Sequence, residues 1–298
     1  MFSQLDTLFI GIGTSGKRAL KVLKEEELPG NYLLVSDKKT DVENDISFLE
    51  FKGEAQTITY SSDLTIIFTS LTGNTGPYVA PHLCSNLKSK GSYVISVAYP
   101  PLPFYKNKYF KAANTLRRLK RTSNIVFLVD NLFYKEKYGN IPLNEFYYNV
   151  NLDLAKAIRY ILSDESSLDD IKEFRGGIGL IISTKEDKIT SSIAKILTKA
   201  YSLAITIESS ISIVSGKRHP SLDELERIYR GLSIFEGGPP ISIRTTELSA
   251  ETDLTLVAIG KTILEEYDPV AKILGDRVLD DEPEVKLNIE LPKLIRID

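Results

Sequence analysis

The chain of 298 residues has few of the side chains that form disulfides and metal centres. It contains one cysteine, Cys84, together with two histidines, one methionine and no tryptophan. A single cysteine cannot form an internal disulfide or a thiolate zinc site, and His82 and His219 are too few for a multi-histidine metal centre. We therefore expect neither a disulfide nor a metal centre built from protein ligands.

The sequence also lacks a large excess of charge and any long hydrophobic run. Lysine and arginine number 37 against 40 aspartate and glutamate residues, which gives a formal charge of −3. Since affinity for nucleic acid depends on neutralising phosphates, this balance argues against a nucleic-acid-binding protein. No apolar run reaches the roughly 18 residues that span a bilayer, and the N-terminus does not have the pattern of a signal peptide. We expect a soluble, cytoplasmic protein that binds no nucleic acid and does not insert into a membrane.

Short apolar runs alternate with amphipathic stretches through residues 1–165. Such alternation is typical of a parallel sheet that is covered by helices on both faces. The runs predict strands at 8–12, 32–36, 64–69, 93–98 and 125–129, and the stretches between them predict helices at 15–27, 75–90 and 106–121. Apolar residues at spacings of three and four between Tyr147 and Ile161 then predict one long helix at 144–164.

The second half of the chain has a different pattern, with strands expected in a mixed sheet. These strands are predicted at 179–183, 203–214, 241–244 and 254–259, with helices around 189–200 and after Pro220. The predicted fold is α/β: a doubly wound parallel-sheet domain at 1–143, a central helix and acidic loop at 144–170, and an α+β domain at 171–298. We expect the last 20 residues to form a short extra strand or a docking tail.

The first predicted strand ends in the glycine-rich turn GIGTSG, residues 11–16, which directly precedes a helix. Glycines there let the backbone approach a phosphate, and the helix N-terminus offers unpaired N–H groups and a partial positive charge. The same pattern occurs in dinucleotide-binding folds, which place an acid at the end of the second strand, and Asp37 occupies that position.

A second strand-to-helix turn, SLTGNTG at residues 70–76, has the same character. Its small hydroxylated residues and glycines can donate hydrogen bonds to phosphate oxygens from both backbone and side chains. Because the carboxyl ends of parallel strands meet at one edge of a sheet, two such turns together favour a nucleotide site.

With these two turns, the chain resembles the tubulin and FtsZ superfamily of GTP-binding filament proteins. Segments similar to the family's motifs follow the family's order along nearly the whole chain. Besides the two turns they are Ala80-Pro81, the PLPF of residues 101–104, the pair Asp130-Asn131, Asn151 with its helix, the SLDEL of residues 221–225, and the predicted strand at 253–260. No single segment identifies the family, but the order that all of them share with the family does.

The resemblance implies that GTP or GDP binds at the carboxyl edge of the first sheet, with Mg²⁺ held through the phosphates. The residues that would contact the nucleotide are Gly11, Gly13, Thr14, Ser15, Gly16, Lys17, Thr72, Gly73, Asn74, Thr75, Gly76, Asn131, Tyr147 and Asn151. Among them, Asn151 would contact guanine.

The resemblance further implies head-to-tail assembly of identical subunits into a filament, because a head-to-tail contact does not close on itself. GTP would be hydrolysed only between stacked subunits, where the acidic loop of one subunit orients water at the nucleotide of the next. Asp170, or the adjacent Asp169, would be the catalytic acid.

Two departures from the family pattern bear on activity. Tyr105 stands where the family's ribose-contacting glutamate is expected, and the following arginine falls near Lys108 or Tyr109. The family's Asn-x-Asp-x-x-Asp aligns with Glu165, Ser167 and Asp170, so that one of its two acids is missing. We therefore expect slow hydrolysis.

Two alternative functions follow from the same residues. The incomplete acidic pattern favours a GTP-binding regulatory or assembly protein with weak or no hydrolysis. The first glycine turn with Asp37 would fit an NAD-dependent oxidoreductase. That alternative is disfavoured because it leaves the second phosphate turn and the ordered motifs of the C-terminal half unexplained.

Overall fold

The structure, a computed structural model, describes most of the chain. The described residues are 5–37, 45–51, 62–102, 105–129, 131–163, 165–173, 178–185, 189–202, 206–215, 219–236, 242–246 and 253–261. The predictions made for Pro103, Phe104 and Asp130, and for the end of the chain after residue 261, lie outside this part.

Six parallel strands form the N-terminal part of the sheet. They are β1 (Thr7–Ile12), β2 (Asn31–Ser36), β3 (Ser47–Glu50), β4 (Leu64–Ser70), β5 (Tyr93–Tyr99) and β6 (Ile125–Leu128), in the order β3-β2-β1-β4-β5-β6. All residues of β1 and of β6 are buried. This explains the continuous apolar runs, since helices cover both faces. The parallel, doubly wound arrangement confirms the prediction.

Four helices accompany these strands: α1 (Gly13–Glu25), α2 (Gly76–Ser89), α3 (Tyr109–Thr122) and α4 (Asn131–Tyr138). The first three match predicted helices, except that Lys106–Lys108 forms a 3-10 turn ahead of α3. Each buries one apolar stripe, for example Leu116 and Leu119 of α3. Helix α4 and strand β3 were not predicted.

The long central helix α5 covers Leu143–Ile161 and follows Pro142. It buries Val150, Leu154 and Ile158 at helical spacing, as expected. The acidic segment after it differs from the prediction of a loop, because Glu165–Glu173 forms helix α6. Leu168 and Ile171, three residues apart, are both buried, and this shared apolar side explains the helix.

The C-terminal part adds four strands and two helices to the same sheet. They are β7 (Ile178–Lys185), α7 (Ile189–Ser202), β8 (Thr206–Ser215), α8 (Leu222–Glu236), β9 (Ser242–Thr246) and β10 (Asp253–Lys261). Strand β7 pairs in parallel with β6, β10 pairs antiparallel with β7 and β8, and β9 pairs in parallel with β8. The mixed sheet is confirmed. Ser221 and Glu224 cap α8 reciprocally, each donating its backbone N–H to the other's side chain.

None of the helices in the described ranges is long and apolar enough to cross a membrane. Within the same ranges, no group of three or more histidine, cysteine or acidic side chains is placed to hold a metal ion.

Candidate functional site

The turn after β1 brings two of its glycines into backbone contact. A Cβ added to Gly11 would lie 2.6 Å from the carbonyl oxygen of Gly16, and a Cβ on Gly16 would lie 2.6 Å from the Cα of Gly11. Real Cβ atoms essentially never approach other atoms so closely. Only glycine at these two positions therefore lets α1 begin directly against the end of β1.

The third glycine of this turn, Gly13, has a different role. Its φ of +65° lies in the left-handed region that favours glycine, and a Cβ there would meet no atom within 4 Å. Gly13 opens α1, no side chain caps the helix, and its first turn contains no acidic residue. The first N–H groups of α1 therefore have no intrahelical partner and can bind an anion.

The second turn ends in an equally uncapped helix. Thr75 precedes α2 without a side-chain hydrogen bond to its amides, and no acid lies in the first turn. Pro77 has no N–H and the Tyr78 N–H donates to the Thr75 carbonyl oxygen over 3.2 Å, which leaves the N–H of Gly76 to bind an anion. A Cβ on Gly76 would lie 2.6 Å from the carbonyl oxygen of Ser70, so that α2 starts as close to β4 as α1 does to β1. The backbone N–H of Thr72 donates to Ser70 Oγ over 3.3 Å and stabilises the turn between them.

Both helix starts line one cavity of about 530 Å³, the larger cavity. Its lining residues are Ile12, Gly13, Thr14, Ser15, Lys17, Leu34, Ser36, Asp37, Ser70, Gly73, Asn74, Thr75 and Gly76. Most are small or hydroxylated, and the charged ones are Lys17 and Asp37. Two helix N-termini, several hydroxyls and one lysine make this wall suited to phosphate groups.

A second cavity of about 140 Å³, the smaller cavity, adjoins the first, and Ser15 and Ser70 line both. Its other lining residues are Arg18, Thr72, Tyr99, Pro100, Pro101, Leu102, Tyr105, Lys108, Tyr147 and Asn151. Tyrosine, proline and leucine side chains dominate this wall. Such a wall fits a flat aromatic group better than a phosphate.

The amide of Asn151 is fixed by the protein itself. Asn151 is 2% exposed; its Oδ1 accepts from the hydroxyl of Tyr99 over 2.6 Å, and its Nδ2 donates to the carbonyl oxygen of Tyr147 over 2.8 Å. Burial raises the pKa of Tyr99 far above its usual range, so its hydroxyl stays protonated and remains a donor. One N–H and one lone pair of the Asn151 amide are left for a ligand.

Two cations accompany the tyrosines of the smaller cavity. The guanidinium carbon of Arg18 lies 5.0 Å from the ring centroid of Tyr147, and the Nζ of Lys108 lies 4.6 Å from that of Tyr105. Burial raises the pKa of Tyr147, and the positive charge of Arg18 acts in the opposite direction. Sequence reasoning missed Arg18, because it directly follows Lys17 and no spacing shows which of the two faces which cavity.

The predicted catalytic acids lie on α6, outside the lining of both cavities. The side chain of Asp169 is 73% exposed, and that of Asp170 is 17% exposed. Asp170 Oδ2 accepts three hydrogen bonds within the chain: from Tyr160 Oη at 3.2 Å, from Ser242 Oγ at 2.8 Å and from Arg244 Nη2 at 2.9 Å. This carboxylate joins α5, α6 and β9.

The structure thus gathers most of the predicted nucleotide-contacting residues at one edge of the sheet. Those that line a cavity are Gly13, Thr14, Ser15, Lys17, Thr72, Gly73, Asn74, Thr75, Gly76, Tyr147 and Asn151. Gly11 and Gly16 lie beneath the first turn and hold it against the sheet. Asn131 begins α4, and its side chain lies outside the described part of the chain.

No protein-family model matches the chain. A search of curated proteins finds the cell division protein FtsZ 2 of Methanocaldococcus jannaschii, which is 21% identical over 271 residues. The match covers 86% of this chain and 61% of the relative, so the chain spans about three fifths of that protein's length.

Solved structures share the fold over nearly the whole chain. CetZ from Methanosaeta thermophila superposes with a TM-score of 0.71 at 19% identity, covering 91% of each chain. CetZ2 from Haloferax volcanii, in a GTPγS-bound protofilament, gives a TM-score of 0.66 at 16% identity and covers 88% of this chain and 96% of its own. The fold shared with these structures argues against a dinucleotide-binding domain, the alternative suggested by the first glycine turn and Asp37. The chain therefore has the α/β fold of tubulin/FtsZ-like proteins, which is the fold that its ordered motifs predict.

Proposed function

We propose that the chain binds GTP and GDP, with the phosphates in the larger cavity and the base in the smaller one. The observation that carries this proposal is the convergence of two uncapped helix N-termini on a cavity that adjoins a tyrosine-lined one. Ser15 and Ser70, which line both cavities, would lie beside the sugar, between phosphates and base.

The larger cavity fits a charged phosphate chain. The first N–H groups of α1 and the N–H of Gly76 at the start of α2 would donate to phosphate oxygens. The open space beside Gly13 admits these oxygens, and Lys17 offsets part of their charge. Asp37 supplies a carboxylate oxygen to the same wall, and carboxylate and phosphate oxygens are the ligands that Mg²⁺ prefers. A Mg²⁺ ion held there through the phosphates would neutralise their charge.

The GTPγS bound in the CetZ2 protofilament supports nucleotide binding by this fold. That structure also supports self-assembly, and we propose that copies of this chain stack head to tail in the cytoplasm. Asp169 and Asp170 lie outside the cavities of their own chain. An acid on α6 would therefore act on the nucleotide of a neighbouring subunit, which would make hydrolysis depend on assembly.

A second candidate function, GTP binding with weak or no hydrolysis, is favoured by the contacts of Asp170. Its Oδ2 is already engaged by Tyr160, Ser242 and Arg244. Asp169 is the more exposed acid, and its carboxylate is the better placed of the two to reach a neighbouring subunit.

Nucleotide binding is tested by equilibrium titration of the purified, nucleotide-free protein. We expect GTP to bind, GDP to compete with it, and NAD to have no effect. Equal binding of NAD and GTP would contradict the proposal.

Hydrolysis is tested by measuring GTP turnover per molecule at increasing protein concentration, with sedimentation of the same samples. Interfacial catalysis predicts turnover that rises with concentration as polymer forms. Asp169→Ala and Asp170→Asn are the informative variants, because asparagine preserves most contacts of Asp170 while removing its charge. An acid that orients or deprotonates water is worth ~10²–10⁴-fold. Turnover that neither variant changes would contradict the shared-site mechanism, and bound GTP without turnover in the parent would favour the second candidate.

A further inference from the structure

The base-binding end of the site contains a cation that its predicted residues do not include. We propose that Arg18 donates two hydrogen bonds to O6 and N7 of a guanine base in the smaller cavity and thereby selects guanine over adenine nucleotides. This inference rests on the proposed function, since it assigns the base contacts of the same GTP site.

Consecutive residues of α1 divide the two cavities between them. Lys17 lines only the larger cavity and Arg18 only the smaller one. A step of one residue turns a helix by about 100°, which separates the two side chains in direction. The charge of Lys17 is therefore placed for phosphates, whereas that of Arg18 is placed for the base.

The contacts of Asn151 leave room for a second residue that recognises the base. Its Oδ1 accepts from the hydroxyl of Tyr99 and its Nδ2 donates to the carbonyl oxygen of Tyr147, and the residue is 2% exposed. An amide held in this way keeps one donor and one acceptor position, too few to distinguish bases along a whole edge. Arg18 contributes a rigid fork of donors instead.

The charge of the smaller cavity indicates which edge of the base is recognised. Among its lining residues the charged side chains are Arg18 and Lys108, both donors without acceptor atoms. Guanine presents two acceptors, O6 and N7, on one edge, and a guanidinium pairs with both at once. Adenine replaces O6 with an amino donor, which opposes a donor of the guanidinium.

The stacking of Arg18 on Tyr147 orients this fork. The guanidinium carbon lies 5.0 Å from the ring centroid, within the range of a cation–π contact. A planar guanidinium held over a ring loses less freedom on binding than a free side chain. Lysine at this position would keep the charge but lose the two-pronged geometry.

Four nucleotides test which atoms of the base are recognised by the parent protein. Inosine triphosphate lacks only the 2-amino group, so we expect it to bind within about threefold of GTP. We expect 7-deaza-GTP, without N7, to bind roughly tenfold more weakly. ATP should bind about 10- to 100-fold more weakly than GTP.

Variants then assign this preference to Arg18. In Arg18→Gln and Arg18→Lys the affinity ratio of GTP to ATP should fall about 10-fold or more, while ATP affinity stays nearly constant. The matched control is Lys21→Gln, which removes an exposed cation from the next turn of α1, outside both cavities.

The outcomes separate the two proposals. A parent that binds none of the four nucleotides overturns the proposed function and this inference with it. A parent that binds GTP but does not distinguish 7-deaza-GTP, or an Arg18→Gln variant that weakens GTP and ATP equally, overturns the role of Arg18 and leaves GTP binding in place.

Discussion

The two cavities at the edge of the sheet have walls of different kinds. The larger cavity is built mainly from backbone, namely two helix starts and the glycine turns before them, whereas the smaller one is built from tyrosine, proline, asparagine and arginine side chains. The shape of a backbone wall depends on how closely segments of the main chain can approach each other and the ligand. A side-chain wall depends on hydrogen bonds between residues that are distant in sequence. The predictions below test this difference, from the largest expected effect to the smallest.

The backbone wall should fail when a side chain is added beneath it. Gly16→Val places a Cβ against the backbone of Gly11 and within 2.8 Å of the carbonyl oxygen of Phe68. We expect the free energy of unfolding to fall by about 3 kcal/mol or more, since backbone on both sides cannot move away. Urea denaturation measures this change. A variant as stable as the parent would show that stability does not require the backbone contact between the start of α1 and the end of β1.

The side-chain wall of the smaller cavity should lose stability when the hydroxyl of Tyr99 loses its hydrogen-bond partner. Asn151→Leu leaves the buried Tyr99 hydroxyl without its acceptor, which costs about 1–3 kcal/mol of stability. GTP affinity should fall as well, because Tyr147 and the base lose their fixed neighbour.

The matched control is the double variant Asn151→Leu with Tyr99→Phe, which removes both partners. We expect its loss of stability to be smaller than the sum of the single losses, as measured by a double-mutant cycle. Strict additivity would mean that the hydrogen bond between Tyr99 and Asn151 contributes nothing.

Lys17 adds a side-chain charge to the backbone wall, and its removal should have a moderate effect. Lys17→Gln should weaken GTP binding by about fivefold, or about 1 kcal/mol, since one exposed charge is partly screened by water. The loss should be smaller for guanosine monophosphate and should shrink with added salt. Titrations at two salt concentrations measure both effects, and equal losses for the two nucleotides would place Lys17 away from the outer phosphates.

The smallest effect is expected at Gly73, which lines the larger cavity without close neighbours. The nearest atom to an added Cβ is the Ser70 Cβ, at 3.8 Å. Gly73→Ala should change the free energy of unfolding by no more than about 0.5–1 kcal/mol. At sites that accept a Cβ without strain, this substitution more often stabilises the protein, because alanine restricts the unfolded chain. If Gly73→Ala lowered the free energy of unfolding as much as Gly16→Val does, the space around Gly73 would be as restricted as that around Gly16, contrary to this prediction.

Periodicity and burial explain how much of this architecture could be predicted from the sequence. Strand β1 is buried along its whole length and β4 along all but its last residue. Their apolar runs therefore predict strands, and the two glycine turns follow directly from the ends of these strands. Strand β3 is half-exposed at the edge of the sheet and has no continuous apolar run. Helix α6 was missed because two buried residues, Leu168 and Ile171, are too few to show a period.

The candidate site divides in the same way. Gly13 and the Thr-Gly turn were predicted because local sequence determines them, and Tyr147 and Asn151 were identified through the resemblance. The hydrogen bond between Tyr99 and Asn151 joins residues 52 positions apart, and nothing local encodes it. Which of Lys17 and Arg18 faces the smaller cavity depends on the rotation of α1 against the sheet, which the sequence does not reveal.

The pairing of β6 with β7 gives the molecule a mechanical property. Three register pairs, Val126 with Ile178, Phe127 with Gly179 and Leu128 with Leu180, join the parallel strands of the first part to the mixed strands of the second. Each backbone hydrogen bond of such a ladder contributes about 0.5–1.5 kcal/mol net. A force applied to the C-terminal strands is therefore transmitted through main-chain hydrogen bonds across β6 and β5. It reaches the strand ends that line the two cavities by this path as well as through the central helix α5.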